Sequence, residues 1–210
     1  MKYLIPIILF LVACKPQEIP PQKEPPGIHL EHVPTFNADS TINVLIEIPA
    51  GSTEKWEYDK EKRRMKIDSV AGQPRIINYL GYPANYGMIP HTHSAALIGG
   101  DGDPLDVIVI GPSLDRPSIV KCKILGVLKL QDDGETDDKL IGATNSHPLT
   151  LLSDLSEIDS IYPGMLDIIE TWFVNYKGVN ENGQPRIESL GYQPKAEAIR
   201  ILNASKIKPN

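Results

Sequence analysis

From Thr41 the chain alternates by twos, with Ile42, Val44, Ile46 and Ile48 on one side and Thr41, Asn43, Leu45 and Glu47 on the other. Successive side chains on a strand point to opposite faces, so this spacing predicts a β-strand, and Pro49, which lacks a ladder N–H, ends it. Lys55-Trp56-Glu57-Tyr58 repeats the pattern, with Lys55 and Glu57 on one face and both aromatics on the other, and a further short run spans Met65 to Asp68. Val107 to Ile110 is continuously apolar, as expected of a strand covered on both faces. From Val120 to Leu130 lysines are interleaved with Cys122, Ile124, Leu128 and Leu130, which predicts another strand. Helical spacing appears only late: Leu166, Ile169, Trp172 or Phe173, and Tyr176 share a face between Pro163 and Gly178, and Pro194 opens a last helix to about Leu202. Strands first and helices last predict a β-barrel-like core with flanking helices.

Ahead of this patterned part the chain changes character. Lys2, the apolar run Tyr3 to Val12 and the small Ala13 read as a secretory signal over residues 1–13, too short to span a bilayer. Leu11-Val12-Ala13-Cys14 is similar to the lipobox of bacterial lipoproteins, which implies that Cys14 is lipidated and becomes the first residue of the mature chain. Acyl chains contribute about 0.8 kcal/mol per buried methylene, so such an anchor holds a protein to a membrane surface. Lys15, in place of Asp, after the cysteine favours an outer membrane, facing the periplasm. Residues 14–40, with Pro16, Pro20, Pro21, Pro25, Pro26 and Pro34, read as an extended tether, and residues 41–210 as one globular domain. With Cys14 lipidated, Cys122 is the sole thiol, so no intrachain disulfide is expected.

Charge narrows the functional classes. Asp and Glu number 27 against 21 Lys and Arg, a net charge of −6, and Phe, Trp and Tyr make up 6%. Nucleic-acid binding through backbone neutralisation and base stacking wants the reverse, so no nucleic-acid partner is expected. An anionic ligand would need local positive charge or a metal.

The acids are grouped. Asp101-Gly102-Asp103-Pro104-Leu105-Asp106 sets three carboxylates in a turn just before the buried strand. A calcium loop of the EF-hand type needs glycine at its sixth place and glutamate at its twelfth, where this chain has Asp106 and Pro112. Alone, the segment could equally be a solvated acidic turn. Asp132-Asp133-Gly134-Glu135-Thr136-Asp137-Asp138-Lys139 is a second cluster after a strand, readable by itself as a charged hairpin. Were the clusters to converge, their repulsion would be tolerable with cations between them. In Tyr82-Pro83-Ala84-Asn85-Tyr86-Gly87 the phenols can donate to phosphate oxygens or simply pack in a core. His91 and His93 lack further zinc ligands at suitable spacing and read as loop residues.

Taken in order, these segments resemble the soluble inorganic pyrophosphatases of family I from Val44 to about Lys177. Asp101-Gly102-Asp103-Pro104-Leu105-Asp106-Val107 fits that family's signature at every place, flanked by Ile46-Glu47-Ile48-Pro49, Lys55-Trp56-Glu57, Tyr82 to Gly87, Asp132 to Lys139 and Tyr176-Lys177. The resemblance implies an α+β, mainly β fold, an OB-like five-stranded closed β-barrel with flanking helices. It also implies hydrolysis of pyrophosphate to two orthophosphates with Mg2+. By the same resemblance Asp101, Asp106 and Asp137 hold the first metal, Asp132 and Asp137 metal arriving with substrate, and Glu47 and Glu57 complete the shell. Asp103 takes the general-base position, and Lys55, Tyr82, Tyr86, Lys139, Tyr176 and Lys177 the substrate side. Family members occur as dimers and hexamers, so a homo-oligomer is possible.

One position departs from the family pattern: an Asp-Arg pair, whose arginine binds phosphate, is here Asp68-Ser69, and Arg75 is the nearest substitute. The rival readings are a membrane-tethered OB-like binding module, a nucleotide hydrolase without any P-loop, and an inactive homologue, the last motivated by Ser69.

Overall fold

Every residue of the strand β1 (Ile42–Ile48) is buried, although its sequence alternates. The reason lies in what covers it within the computed structural model, which describes residues 27–94 and 103–207. The signal at 1–13, Cys14 and Asp101 lie outside the described residues. Ile42, Val44 and Ile46 join a core with the last helix, while Leu45, on the opposite face, packs with Leu30 and Met88 under Ile28, Val33, Tyr58 and Met65. The segment before Thr41 is therefore part of the folded body from about Ile28, whose N–H donates to Arg63 O at 2.7 Å. Asn43 Nδ2 likewise donates to Pro34 O at 2.7 Å, and the boundary expected at Thr41 moves toward the N-terminus.

The other strands are β2 (Trp56–Asp59), β3 (Arg64–Ile67), β4 (Ser69–Val70), β5 (Gln73–Pro74), β6 (Asn85–Met88), β7 (Asp106–Ile110), β8 (Ser118–Asp132), β9 (Glu135–Thr136), β10 (Lys139–Thr144) and β11 (Ile187–Pro194). The helices are α1 (Ile158–Ile161), α2 (Met165–Asn175) and α3 (Lys195–Ala204). In the main sheet β1 pairs with β6, β6 with β7, β7 in parallel with β10, β10 with β8, and β8 again with β1, so 5 strands close into a ring as expected. β8 is 15 residues long because it has two jobs along one edge: Ser118 to Cys122 pairs with β1, and Gly126 to Asp132 with β11.

β7 explains its own unbroken hydrophobicity. Val107 and Val109 pack in the core of α3 with Ala198, Ile201 and Leu202, whereas Ile108 and Ile110 pack in that of α2 with Trp172 and Phe173. The Tyr82 to Gly87 segment runs into β6, and Gly87 makes this possible: a Cβ there would stand 2.0 Å from Leu45 O across the ladder. Trp172 on α2 donates from its indole to Leu80 O at 3.0 Å, tying that helix to the chain just ahead of Tyr82.

Candidate active site

Strand register assembles the site. Asp106 opens β7 and Lys139 opens β10, and the parallel pairing sets them directly opposite. Lys139 Nζ lies 2.6 Å from Asp106 Oδ2 and also contacts Asp137. Asp132 ends β8, where Asp133 (φ 48°) and Gly134 (φ 92°) turn the chain into β9. Tyr176 caps α2 and brings the next residue, Lys177, into contact with Asp132. On the neighbouring strand Glu47, 7% exposed, accepts from Tyr58 N at 2.8 Å.

The result is one cleft of about 630 Å3 lined by Glu47, Lys55, Glu57, Arg75, Tyr82, Tyr86, Asp103, Asp106, Asp132, Asp137, Lys139, Tyr176 and Lys177. Every expected site residue that the structure describes is thus in the same place, and only Asp101 and Cys14 fall outside the described residues. Arg75, separated in sequence from the family's arginine position, arrives because β4 and β5 form a hairpin that folds back on Asp68. Arg75 N donates to Asp68 O at 2.8 Å, and its guanidinium reaches Asp68 Oδ2 at 3.1 Å. Lys55 Nζ meets the same carboxylate oxygen at 3.2 Å, so Asp68 holds two cleft-lining cations together. Sequence reasoning missed Asp68 in this role, and also Lys66, which lines the cleft and pairs with Glu57 at 3.0 Å. His91 serves the fold, its Nε2 lying 2.9 Å from Leu30 O.

Burial and neighbouring charges set the protonation of the cleft's acids, cations and phenols. Burial, then the charges of Asp106 and Glu57, push the Glu47 carboxyl up to about 8. Burial opposes charging Lys139, but Asp106 and Asp137 outweigh it and hold the ammonium well above its ordinary value. Burial raises the phenols of Tyr82 and Tyr86, and Tyr176 is pushed up to about 12, so all three keep protons to donate at neutral pH. Although burial acts the other way, Lys55 and Arg75 keep Asp68 below the usual carboxylate range.

Glu47 sets a pH dependence. A folded-state value near 8 against an ordinary 4.5 means that the folded chain binds this proton more tightly than the unfolded one. The stabilisation is complete below 4.5 and lost as pH rises through about 8. The expected result for chelated protein is a melting midpoint that falls across that interval, and Glu47→Gln should flatten the fall; an unchanged slope would contradict it.

The donor set fits a hard divalent cation. The acids lining the cleft offer carboxylate oxygens, the ligands such ions take. Asp132 Oδ1 is buried with no hydrogen-bond partner, which is costly unless a ligand meets it. Lys139 and Lys177 place ammonium groups among the carboxylates, marking where positive charge is wanted. Among the described residues no three His, Cys, Asp or Glu side chains are preassembled as a metal cluster.

A closed β ring with one cleft that gathers carboxylates, cations and phenols defines a site for phosphate chemistry with a metal. Residues 44–208 match the family model described as inorganic pyrophosphatase, and the chain belongs to that family. It is 36% identical over 163 residues to the inorganic pyrophosphatase of Corynebacterium efficiens, covering 77% of this chain and 94% of that protein. The structure of an inorganic pyrophosphatase from Coxiella burnetii superposes with a TM-score of 0.68 at 30% identity, covering 82% of this chain and 97% of that one. A truncated Trypanosoma cruzi vacuolar soluble pyrophosphatase, solved in complex with PPi, gives 0.72 at 27% identity over 88% of this chain and 76% of that one.

Proposed function

We propose that this chain hydrolyses inorganic pyrophosphate to two orthophosphates with Mg2+, as an exported protein anchored through lipid on Cys14. The observation that carries the catalytic reading is the gathering of 13 expected residues, from stretches far apart in sequence, around one cleft. Asp106, Asp132, Asp137, Glu47 and Glu57 would hold the metal, together with Asp101. Bound there, divalent cations neutralise the tetra-anionic substrate and activate water as a nucleophile. The chain's own residues supply the rest. Asp103, on the segment entering β7 and lining the cleft, accepts the proton of the attacking water. Lys139 and Lys177, which neutralise carboxylates in the metal-free chain, turn to phosphate oxygens once those carboxylates are otherwise engaged. Lys55 and Arg75, held by Asp68, fix the far phosphoryl group, with Arg75 able to bind it through a fork of donors. The phenols of Tyr82, Tyr86 and Tyr176 donate without adding charge.

Ser69 is the motive for reading the chain as an inactive homologue, and Arg75, which shares Asp68 with Lys55, supports the active reading instead. Full-length protein is expected to release phosphate from pyrophosphate with magnesium and to stop on chelation; no release over a wide range of magnesium and pH would end the catalytic reading. Arg75→Ala should raise KM about 10-fold, as loss of a charge-assisted contact predicts. A KM within about twofold of the parent would show that Arg75 only covers the cleft.

Anchoring rests on the run Leu11-Val12-Ala13-Cys14 and the preceding apolar stretch. Among the described residues no helix is long and apolar enough to cross a membrane. On fractionation of expressing bacteria, Cys14→Ser should move the protein from the membrane pellet to the soluble fraction. Retention of the variant in the pellet would refute attachment through Cys14.

A further inference from the structure

The hairpin of β2 and β3 carries the most cationic stretch of the chain. From Asp59 to Lys66 it holds five cations, Lys60, Lys62, Arg63, Arg64 and Lys66, against two acids, although the net charge of the whole is −6. Residues 60 to 64 are all exposed, and Arg63 (φ 51°) turns the chain at the tip. Asp59 Oδ1 is engaged within that turn, accepting from Glu61 N at 3.0 Å and from Lys62 N at 2.9 Å. Lys60, Lys62 and Arg64 enter no ion pair among the described residues, and the pairs of Arg63 with Glu31 at 3.5 Å and of Lys66 with Glu57 at 3.0 Å are exposed ones of little strength. Lys62, Arg63 and Arg64 do not line the catalytic cleft, so the pyrophosphate reading gives them no task. The same tip receives the N-terminal segment: Ile28 N donates to Arg63 O at 2.7 Å, and the Tyr58 hydroxyl donates to Ile28 O at 2.9 Å.

We propose that this hairpin docks on an anionic phospholipid surface, as the second of two membrane contacts, the first being lipid on Cys14. The inference rests on the anchoring reading above and extends it. Gly27, where the described residues begin, is 13 residues on from Cys14. At about 3.6 Å per residue these span at most about 47 Å, so an anchor at Cys14 holds the body by its basic tip. Residues 15–26 set Lys15 and Lys23 against Glu18 and Glu24, so they bring no net charge of their own to a membrane. Attraction between a cation and anionic headgroups fades within a Debye length, about 10 Å at moderate salt, so the cations that count are those delivered to the surface itself. The acidic remainder of the body is repelled by the same headgroups, which turns the tip toward the lipid. Lys60, Glu61 and Lys66 also line the cleft, so docking sets that side of the cleft beside the headgroups.

The test places full-length protein on vesicles of phosphatidylcholine, alone or mixed with phosphatidylglycerol, acylates exposed lysines with an uncharged reagent and reads each lysine by mass spectrometry. On the mixed vesicles Lys60 and Lys62 should be labelled about fivefold less than on phosphatidylcholine alone, the preference expected of a basic residue at an anionic surface, and high salt should restore the labelling. Lys121, exposed on β8, should be labelled equally on both. In Lys62→Gln/Arg63→Gln/Arg64→Gln the protection of Lys60 should vanish, and in Lys62→Arg/Arg63→Lys/Arg64→Lys, which keeps the charge, it should remain. Equal labelling of Lys60 and Lys62 on the two kinds of vesicle would overturn the docking and leave the anchor standing, as would equal protection of Lys121, protection that survives the neutral substitutions, or loss in both variants. Protein that does not pellet with phosphatidylcholine vesicles lacks the anchor, and pelleting with the mixed vesicles then decides the hairpin. Binding that the neutral substitutions weaken about 10²-fold, roughly fivefold for each cation removed, supports the docking, and absent or unchanged binding refutes it.

Discussion

Asp103→Asn is expected to fold, to bind metal like the parent, and to lose about 10²- to 10⁴-fold in turnover, the usual contribution of a positioned general base. The substitution keeps size and hydrogen-bonding shape and removes only basicity, so its effect separates proton transfer from architecture. The backbone at this point is anchored by Ser94 N, which donates to Asp103 O at 2.7 Å, and the neighbouring Leu105 N is held by the Thr92 hydroxyl at 2.9 Å. The loss should therefore appear in kcat with KM nearly constant, and the acid limb of the pH profile should change shape. Turnover within about twofold of the parent would remove Asp103 from this role.

Lys139→Met is the second large expectation, and it concerns stability as well as rate. The Lys139 side chain is 5% exposed and neutralises Asp106 and Asp137, which are 30% and 25% exposed. Removing one member of a buried ion pair costs about 3–5 kcal/mol because the remaining charges are left uncompensated. Partial exposure of both carboxylates places this case lower, at about 2–3 kcal/mol. Chelated protein should show that loss in a denaturant titration, and saturating magnesium should restore part of it by taking over the neutralisation. Activity should fall at the same time if, as proposed, the ammonium also meets substrate. Equal destabilisation with and without magnesium would mean that Lys139 acts through packing alone.

The legible parts of the fold were those whose burial is written in local periodicity. β1, β8, α2 and α3 carry apolar residues at strand or helix spacing, and β7 is an unbroken apolar run of strand length. β6 was not legible, since Asn85-Tyr86-Gly87-Met88 looks like a turn until Leu45 O is seen to occupy the space a side chain at Gly87 would fill. β11 was missed because half its length is solvent-facing and its pairing with β8 is long-range. The folded segment before Thr41 was hidden because its packing residues, Ile28, Leu30, Val33 and Phe36, follow no strand or helix period and come directly after a proline-rich stretch. In the site, acids at strand ends pointed to themselves through their clustering, and the family pattern ordered them. Asp68 did not, because its importance lies in meeting Lys55 and Arg75, which a hairpin brings together and no linear spacing announces.

The ring closure has a temporal consequence. Ile42 pairs with Cys122 and Ile46 with Ser118, so one edge of β1 waits for more than a third of the chain to follow before it finds its partner. Contacts this distant in sequence must overcome loop-closure entropy before they return any stabilisation, which makes them late and slow. The cleft walls are carried by β1, β6, β7, β8 and β10, the same strands that closure brings into register. In refolding, pyrophosphate hydrolysis should accordingly return with the slowest structural phase, and no partly assembled species should turn over substrate.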